Sequence, residues 1–370
     1  MTRPPSRPIV FAVTHTEAGG IRELWCDLAE GLRARGHDVR LMAFYPHSHE
    51  GPGALAEGWE FIVPRRPRGV LGGVRLVAGL VGWLRRVAPA AIIAANPATN
   101  AALPWAALAA RRGTRVVLTQ HVPASTHNAL LDRATGIAAM LPHVRAVVCV
   151  SDAVARTNAG KPAKFRAKCQ TIHNALPPRI EALLDGLHRV RSVPGGRVVA
   201  LGRLDRQKNY PLLIEALAQA PGLRLDAVGE GADRAAIAAQ IARLGLAERV
   251  TLHGRLPRVA ALEIAAGGDI FAQVSLFEGH SLALIEAARL GLPLVVSDVP
   301  EQVEGVTTAD GTVCAAVVPL GDPARLAAVL RAMAGDAEVY ARWAGLALKL
   351  GRESTFAAML DRYAALIDGG

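Results

Sequence analysis

An α/β protein built of two doubly wound parallel-sheet domains is expected from three observations. Short Val/Ile/Leu-rich runs recur between Ala- and Leu-rich amphipathic stretches, the pattern of strands buried on both faces beneath crossover helices. Near the middle, His173–Gly196 gathers Asn174, Pro177, Pro178, Pro194, Gly195 and Gly196 around one short helix-like stretch, and a fresh strand-like run follows. The chain has 370 residues, 51% of them apolar, enough for two cores.

The strand-like runs of the first half are Ile9–Val13, Val39–Phe44, Ala91–Ala95, Val116–Thr119 and Ala146–Val150. Those of the second are Arg197–Leu201, Leu223–Val228, Val250–His253, Ile270–Val274, Leu294–Ser297 and Ala315–Val318. The expected division is a first domain over 1–178, a second over 192–350, and a helical segment over 351–370 that crosses back to the first. No repeat of solenoid length stands out. Ligands of such domains bind at the carboxyl ends of the strands, in a cleft.

Val87–Ala110, the most apolar long stretch, is broken by Pro89, Asn96, Pro97, Thr99, Asn100 and Pro104, so no membrane-spanning helix is predicted. The apolar run Ile9–Val13 is too short for a signal-peptide core, and a cytoplasmic location is expected. Cys26, Cys149, Cys169 and Cys314 show no metal or disulfide spacing and read as small buried hydrophobes. The net charge of +10 is uneven: 24 basic and 12 acidic residues lie in 1–190, against 18 and 20 in 191–370. Such an excess suits an anionic partner or merely a solvated surface. Nucleic acid is not the expected partner, because no aromatic residues interleave with the cations and no base-reading module is present.

The sequence lacks the P-loop, His-Glu-x-x-His, Gly-x-Ser-x-Gly and Asp-x-Asp patterns. Gly229-Glu230-Gly231 reads as a strand-to-helix turn. The richest segment is Ser275–Asp298: a strand end, a turn around Gly279, a helix from about Ser281, a Gly291 stop and another strand. Ser281 is an apt N-cap, and the free backbone N–H groups beside it suit an anion. Glu278 and Glu286 belong to this unit, where two carboxylates could divide labour, or stand on a solvated surface. Gly202-Arg203-Leu204-Asp205-Arg206-Gln207-Lys208 follows a strand directly, its two cations forming a fork for a diphosphate or an ordinary solvated loop. Gly19-Gly20 opens the helix after the first strand, either for close approach to a ligand or as a tight turn.

These residues resemble the group 1, or family-four, retaining glycosyltransferases of GT-B fold, which pair two Rossmann-like domains across a cleft. The family's Glu-x7-Glu phrase reads here EGHSLALIEAARLGLPLVVSD, with Glu278 and Glu286 in the two Glu positions. Gly202, Arg203 and Lys208 match its Gly-Arg-x4-Lys; Gly19-Gly20, Val228–Gly231 and Leu252–Leu256 fall in the expected order. The resemblance is dense over 197–300 and looser before.

It implies a metal-independent hexosyltransferase that takes a UDP- or GDP-linked sugar as substrate and needs no cofactor. Glu286 would bind the ribose, Glu278 the sugar hydroxyls, and Arg203 with Lys208 the diphosphate. Gly20, Gly279, His280, Ser281, Leu282 and Leu256 would complete the donor site. His121, in Thr119-Gln120-His121, would lie beside the donor sugar; no nucleophile is assigned. Gly279-His280-Ser281 departs from the family's usual Gly-Phe-Gly, which bears on sugar preference; Asn174-Ala175 replaces Asn-Gly. Val299-Pro300-Glu301-Gln302 replaces Gly-Gly-x-x-Glu, leaving Glu301 and Glu304 as surface residues.

The acceptor implied is a lipid-linked sugar or a polysaccharide, in cell-surface or lipopolysaccharide synthesis. Residues 65–86 carry six Arg and no acid around a Leu/Val/Trp-rich centre. They read either as an interfacial helix at the inner face of the membrane, with Trp83 at the boundary, or as a core helix with Arg at its ends. Lys161, Lys164, Arg166 and Lys168 would extend the same basic face. The competing functions are a GT-B-fold sugar-nucleotide epimerase and a non-catalytic GT-B subunit.

Overall fold

A computed structural model describes residues 7–17, 19–47, 58–190, 195–353 and 355–368. Seven strands form the first sheet: β1 (Ile9–His15), β2 (Val39–Tyr45), β3 (Trp59–Phe61), β4 (Ala91–Ala94), β5 (Arg115–Gln120), β6 (Val144–Cys149) and β7 (Cys169–Thr171). Their order is β3-β2-β1-β4-β5-β6-β7, every pairing parallel. Six form the second: β8 (Arg197–Leu201), β9 (Arg224–Val228), β10 (Val250–Gly254), β11 (Ile270–Gln273), β12 (Leu294–Ser297) and β13 (Ala316–Val318). The order β10-β9-β8-β11-β12-β13 is again wholly parallel. The molecule is therefore α/β with two Rossmann-like sheets. The sequence missed only β3 and β7, three-residue edge strands too short to show a period.

Runs such as Val10-Phe11-Ala12 and Ile92-Ile93-Ala94 are wholly buried because helices cover both faces of each sheet. In the second sheet Val198, Ala200 and Leu225 pack towards helices Tyr210–Ala218 and Pro323–Gly335. Val199, Phe271 and Val296 pack towards helices Arg258–Ala266 and Leu282–Arg289 on the other face.

The compact units part after His173, and the chain rejoins the first unit at Ala357; Asn174–Phe356 is the second. The helix Pro178–Leu187 belongs to the second unit because Ile180 and Leu184 enter its core with Leu176. On the first unit the terminal helix Phe356–Asp368 sets Tyr363 edge-on to Trp25, centroids 6.3 Å apart, and Asp361 within 2.7 Å of Arg35. Each sheet reverses its order beside its first strand, between β1 and β4 and between β8 and β11. Loops leaving the carboxyl ends there flank the crevice that an open α/β sheet offers a ligand.

Helix Gly69–Val87 follows the core alternative over one half only. Its second half is core: Leu80, Trp83 and Leu84 are buried. Trp83 thus faces inward, its indole N–H donating to Glu60 at 2.8 Å, and is no boundary anchor. Its first half exposes Val70, Leu71, Val74 and Val77 among the exposed Arg65, Arg66, Arg68 and Arg75. Lys161 does not extend this basic face, being held by Asp132; Lys168 donates to the Ala139 and Leu141 carbonyls. Cys149 and Cys314 are buried as expected, whereas Cys26 and Cys169 are half-exposed. No helix among the described residues is long and apolar enough to cross a membrane.

Candidate active site

In the second unit, the loops after β8 and β11 meet at the switch point. Gly202 ends β8 at φ 153°, and a Cβ there would stand 2.8 Å from Lys208 Cε, so only glycine lets the lysine stem cross the backbone. Asp205 caps the turn Arg206–Lys208 by accepting from the Lys208 amide. Gln207 fastens that turn to the other loop: its carbonyl accepts from Leu276 N–H at 2.8 Å, and its side chain donates to Phe277 O at 3.2 Å. Lys208 Nζ then donates to Glu278 Oε1 at 2.7 Å, an ion pair with side chains 15% and 7% exposed. Arg203, on the same loop, is linked to Asp205 and Gln207 at 3.2 Å each. Gly229 and Gly231, after β9, are required because a Cβ on either would strike backbone of Gly202 or Leu204.

Ser281 caps helix Leu282–Arg289, accepting from Leu284 N–H and donating to Gln273 Oε1 at 2.9 Å. Asn174 steadies the preceding turn by donating to His280 O at 2.7 Å. The turn Gly279–Ser281 and the first amides of the helix beyond it are thereby held next to Glu278, with the positive end of the helix dipole facing the same crevice. One and a quarter turns further, Glu286 is 7% exposed and receives Arg258 Nε and Nη2 at 2.9 and 2.7 Å. Arg258 opens the helix after β10; no motif signalled it. Leu256 stands in the turn just before.

Glu301 corrects the expectation of a surface residue. It is 6% exposed beneath this site. Burial pushes its carboxyl above the usual range, backbone groups of Glu301 and Glu278 counter part of that, and the nearby Glu278 carboxylate adds to the rise.

Two predicted residues lie in the first unit. Gly20 opens helix Gly20–Ala34 after β1. Neither it nor Gly19 has a φ in the left-handed region, and a Cβ on either would meet nothing within 4 Å, so the fold of this unit does not itself demand glycine. His121 leaves the end of β5 with its ring edge-on to Trp25 at 5.4 Å. Thr119 Oγ1 donates its proton to Ala94 O at 2.9 Å and so accepts from His121 Nε2 at 2.8 Å. This leaves Nδ1 as the acceptor nitrogen of a neutral ring, and desolvation lowers its pKa from 6.5 to about 4.

Residues 18–180 match the family model described as Glycosyltransferase Family 4, and 194–347 match Glycosyl transferases group 1. An N-acetylgalactosaminyltransferase of Campylobacter jejuni, named for a diphospho-undecaprenol acceptor, is 32% identical over 132 residues, 35% of each chain. The amylovoran biosynthesis glycosyltransferase AmsD of Erwinia amylovora is 28% identical over 129 residues, 34% of this chain and 36% of the relative. These matches thus span about a third of the relatives' length. Among solved structures, Anabaena HepE with UDP-glucose superposes with a TM-score of 0.78 at 20% identity, covering 98% of this chain and 100% of that one. WaaG, a glycosyltransferase involved in lipopolysaccharide biosynthesis, gives 0.72 at 18% identity over 98% and 100%. With both family models matched in order along a GT-B fold, the chain belongs to the group 1 glycosyltransferases.

Proposed function

We propose that the protein transfers a sugar from a nucleoside-diphosphate sugar to a lipid-linked or polysaccharide acceptor with retention of configuration. One observation carries this reading: Arg203, Lys208, Glu278 and the amide-rich turn Gly279–Ser281 converge at the β8–β11 switch point. As the bond from anomeric carbon to diphosphate oxygen breaks, its electron pair leaves on the diphosphate. Two cations and a helix N-terminus are preorganised to take up that charge. Lys208 exchanges part of its bond with Glu278 for the phosphate, which frees the carboxylate to accept from sugar hydroxyls. Glu286, oriented by Arg258, accepts from the ribose hydroxyls. No step requires a metal to hold the diphosphate.

The acceptor class is supported by the exposed Val70-Leu71-Val74-Val77 stripe among four exposed arginines, which suits the surface of an anionic membrane. The enzyme would work at the inner face of the cytoplasmic membrane, on the glycan of a lipid carrier.

Thermal unfolding against a panel of UDP-, GDP- and ADP-sugars tests the donor site. A ligand at about 100 times its Kd stabilises the native state by about 2.7 kcal/mol. One nucleotide sugar is expected to raise the Tm, with the shift lost in Glu286→Ala and kept in EDTA. Absence of any shift would favour a non-catalytic subunit, and acceptor-independent turnover of the donor an epimerase.

A further inference from the structure

The carboxyl ends of β1 and β2 carry a second cluster that the donor chemistry does not use. The two strands are parallel neighbours with His15 opposite Tyr45, so Glu17 and His47, each two residues on, leave the sheet side by side. The His47 amide donates to Thr16 Oγ1 at 3.3 Å, tying one loop to the other. One ligand atom from each of His15, Glu17 and His47 lies within 4.8 Å of the other two. No other three His, Cys, Asp or Glu side chains among the described residues come so close. His15 Nδ1 is 3.8 Å from Glu17 Oε2, and the two imidazoles are 5.7 Å apart.

We propose that His15, Glu17 and His47 bind a divalent transition metal of the zinc class. Two imidazoles with one carboxylate are a borderline donor set that favours such ions over magnesium or calcium, which prefer oxygen alone. Ligand atoms around a tetrahedral ion at about 2.0–2.2 Å lie roughly 3.4 Å from one another. The cluster therefore has to contract by up to about 1.4 Å, within the rotamer freedom of side chains 36% and 33% exposed for His15 and Glu17. At His15 Nδ1 the metal takes over from the long 3.4 Å contact of the Glu17 amide. Three protein ligands leave a fourth position open for water or for an oxygen of a bound molecule. The proposal is independent of the donor reading, whose residues at the β8–β11 switch point lie in the second unit.

Tag-free, chelator-stripped full-length protein is titrated with Zn2+ by calorimetry and with Co2+ by visible absorption. One ion per chain is expected, with cobalt bands of low coordination number. His15→Ala and His47→Ala should each weaken binding at least about tenfold. Glu17→Gln, an isosteric change on a half-exposed side chain, should weaken it without altering the melting curve, and His127→Ala should leave it intact. No saturable one-to-one binding would overturn the proposal, as would equal binding by the His15→Ala/His47→Ala double variant. The nucleotide-sugar shift in Tm, read on the same variants, should persist; its loss would bear on the donor site and leave the metal titration to be judged by itself.

Discussion

A lysine and a glutamate that stand 70 positions apart in the chain become a buried ion pair at 2.7 Å. Removing one partner strands the other, so Lys208→Met should cost about 3 kcal/mol of stability, and the Lys208→Met/Glu278→Gln double variant less than either alone. Chemical denaturation of the four proteins measures the coupling; additive losses would show that the pair is not a unit. His121 behaves differently. Its imidazole is neutral in the fold down to about pH 4, whereas in the unfolded chain it protonates near 6.5. Between those values the unfolded state binds the extra proton, so stability falls as pH falls, by about 3 kcal/mol once both are passed. In His121→Asn the pH dependence of unfolding should lose up to one proton over that window. The residue types of the site were legible in the sequence, since Glu278, Glu286, Arg203 and Lys208 sit in dense motifs. Their partners were not: Arg258 reaches Glu286 from a helix 28 residues away without any motif of its own. Glu301 looked like surface because nothing local shows that the β11 loop folds over it.

Glycines divide the elements around the site into two kinds. Gly229 and Gly231 are packed against the loop after β8, so Gly231→Ala should lower stability by about 2 kcal/mol or more through forced backbone displacement. Gly20→Ala meets open space, and its stability should stay within about 0.5 kcal/mol of wild type while turnover falls. Melting curves and initial rates on the two variants separate the cases, and a large loss of stability in Gly20→Ala would end the ligand-approach reading. Strand runs were read well because a strand covered on both faces is apolar throughout. The helix Gly69–Val87 was harder, because an apolar stretch does not say which of its faces has a neighbour. Ile62 and Glu60 claim its second half: a Cβ on Gly79 would stand 2.9 Å from Ile62 Cγ2, and Glu60 accepts from Trp83. Replacing Val70, Leu71 and Val74 by Ser should reduce sedimentation with anionic liposomes without changing the Tm, whereas changes at Trp83 or Leu84 should unfold the unit.

At the level of the whole molecule, two parallel sheets were within reach of the pattern, but the strand order and the allocation of the chain between the sheets were set by packing. Leu176, Ile180 and Leu184 draw the segment after His173 into the second unit, and Trp25 and Arg35 draw Tyr363 and Asp361 into the first. The second unit is thus an insertion into the first. A ribosome making this protein completes every strand of the β1–β7 sheet early, yet the helix that carries Tyr363 emerges only after all of the second unit. Until then the Trp25 face of the nascent first unit lacks its cover, while β8–β13 can already pack. The order of synthesis and the order of completion are therefore reversed, and chains stalled before Ala357 should be cleaved by protease first in the residues before His173.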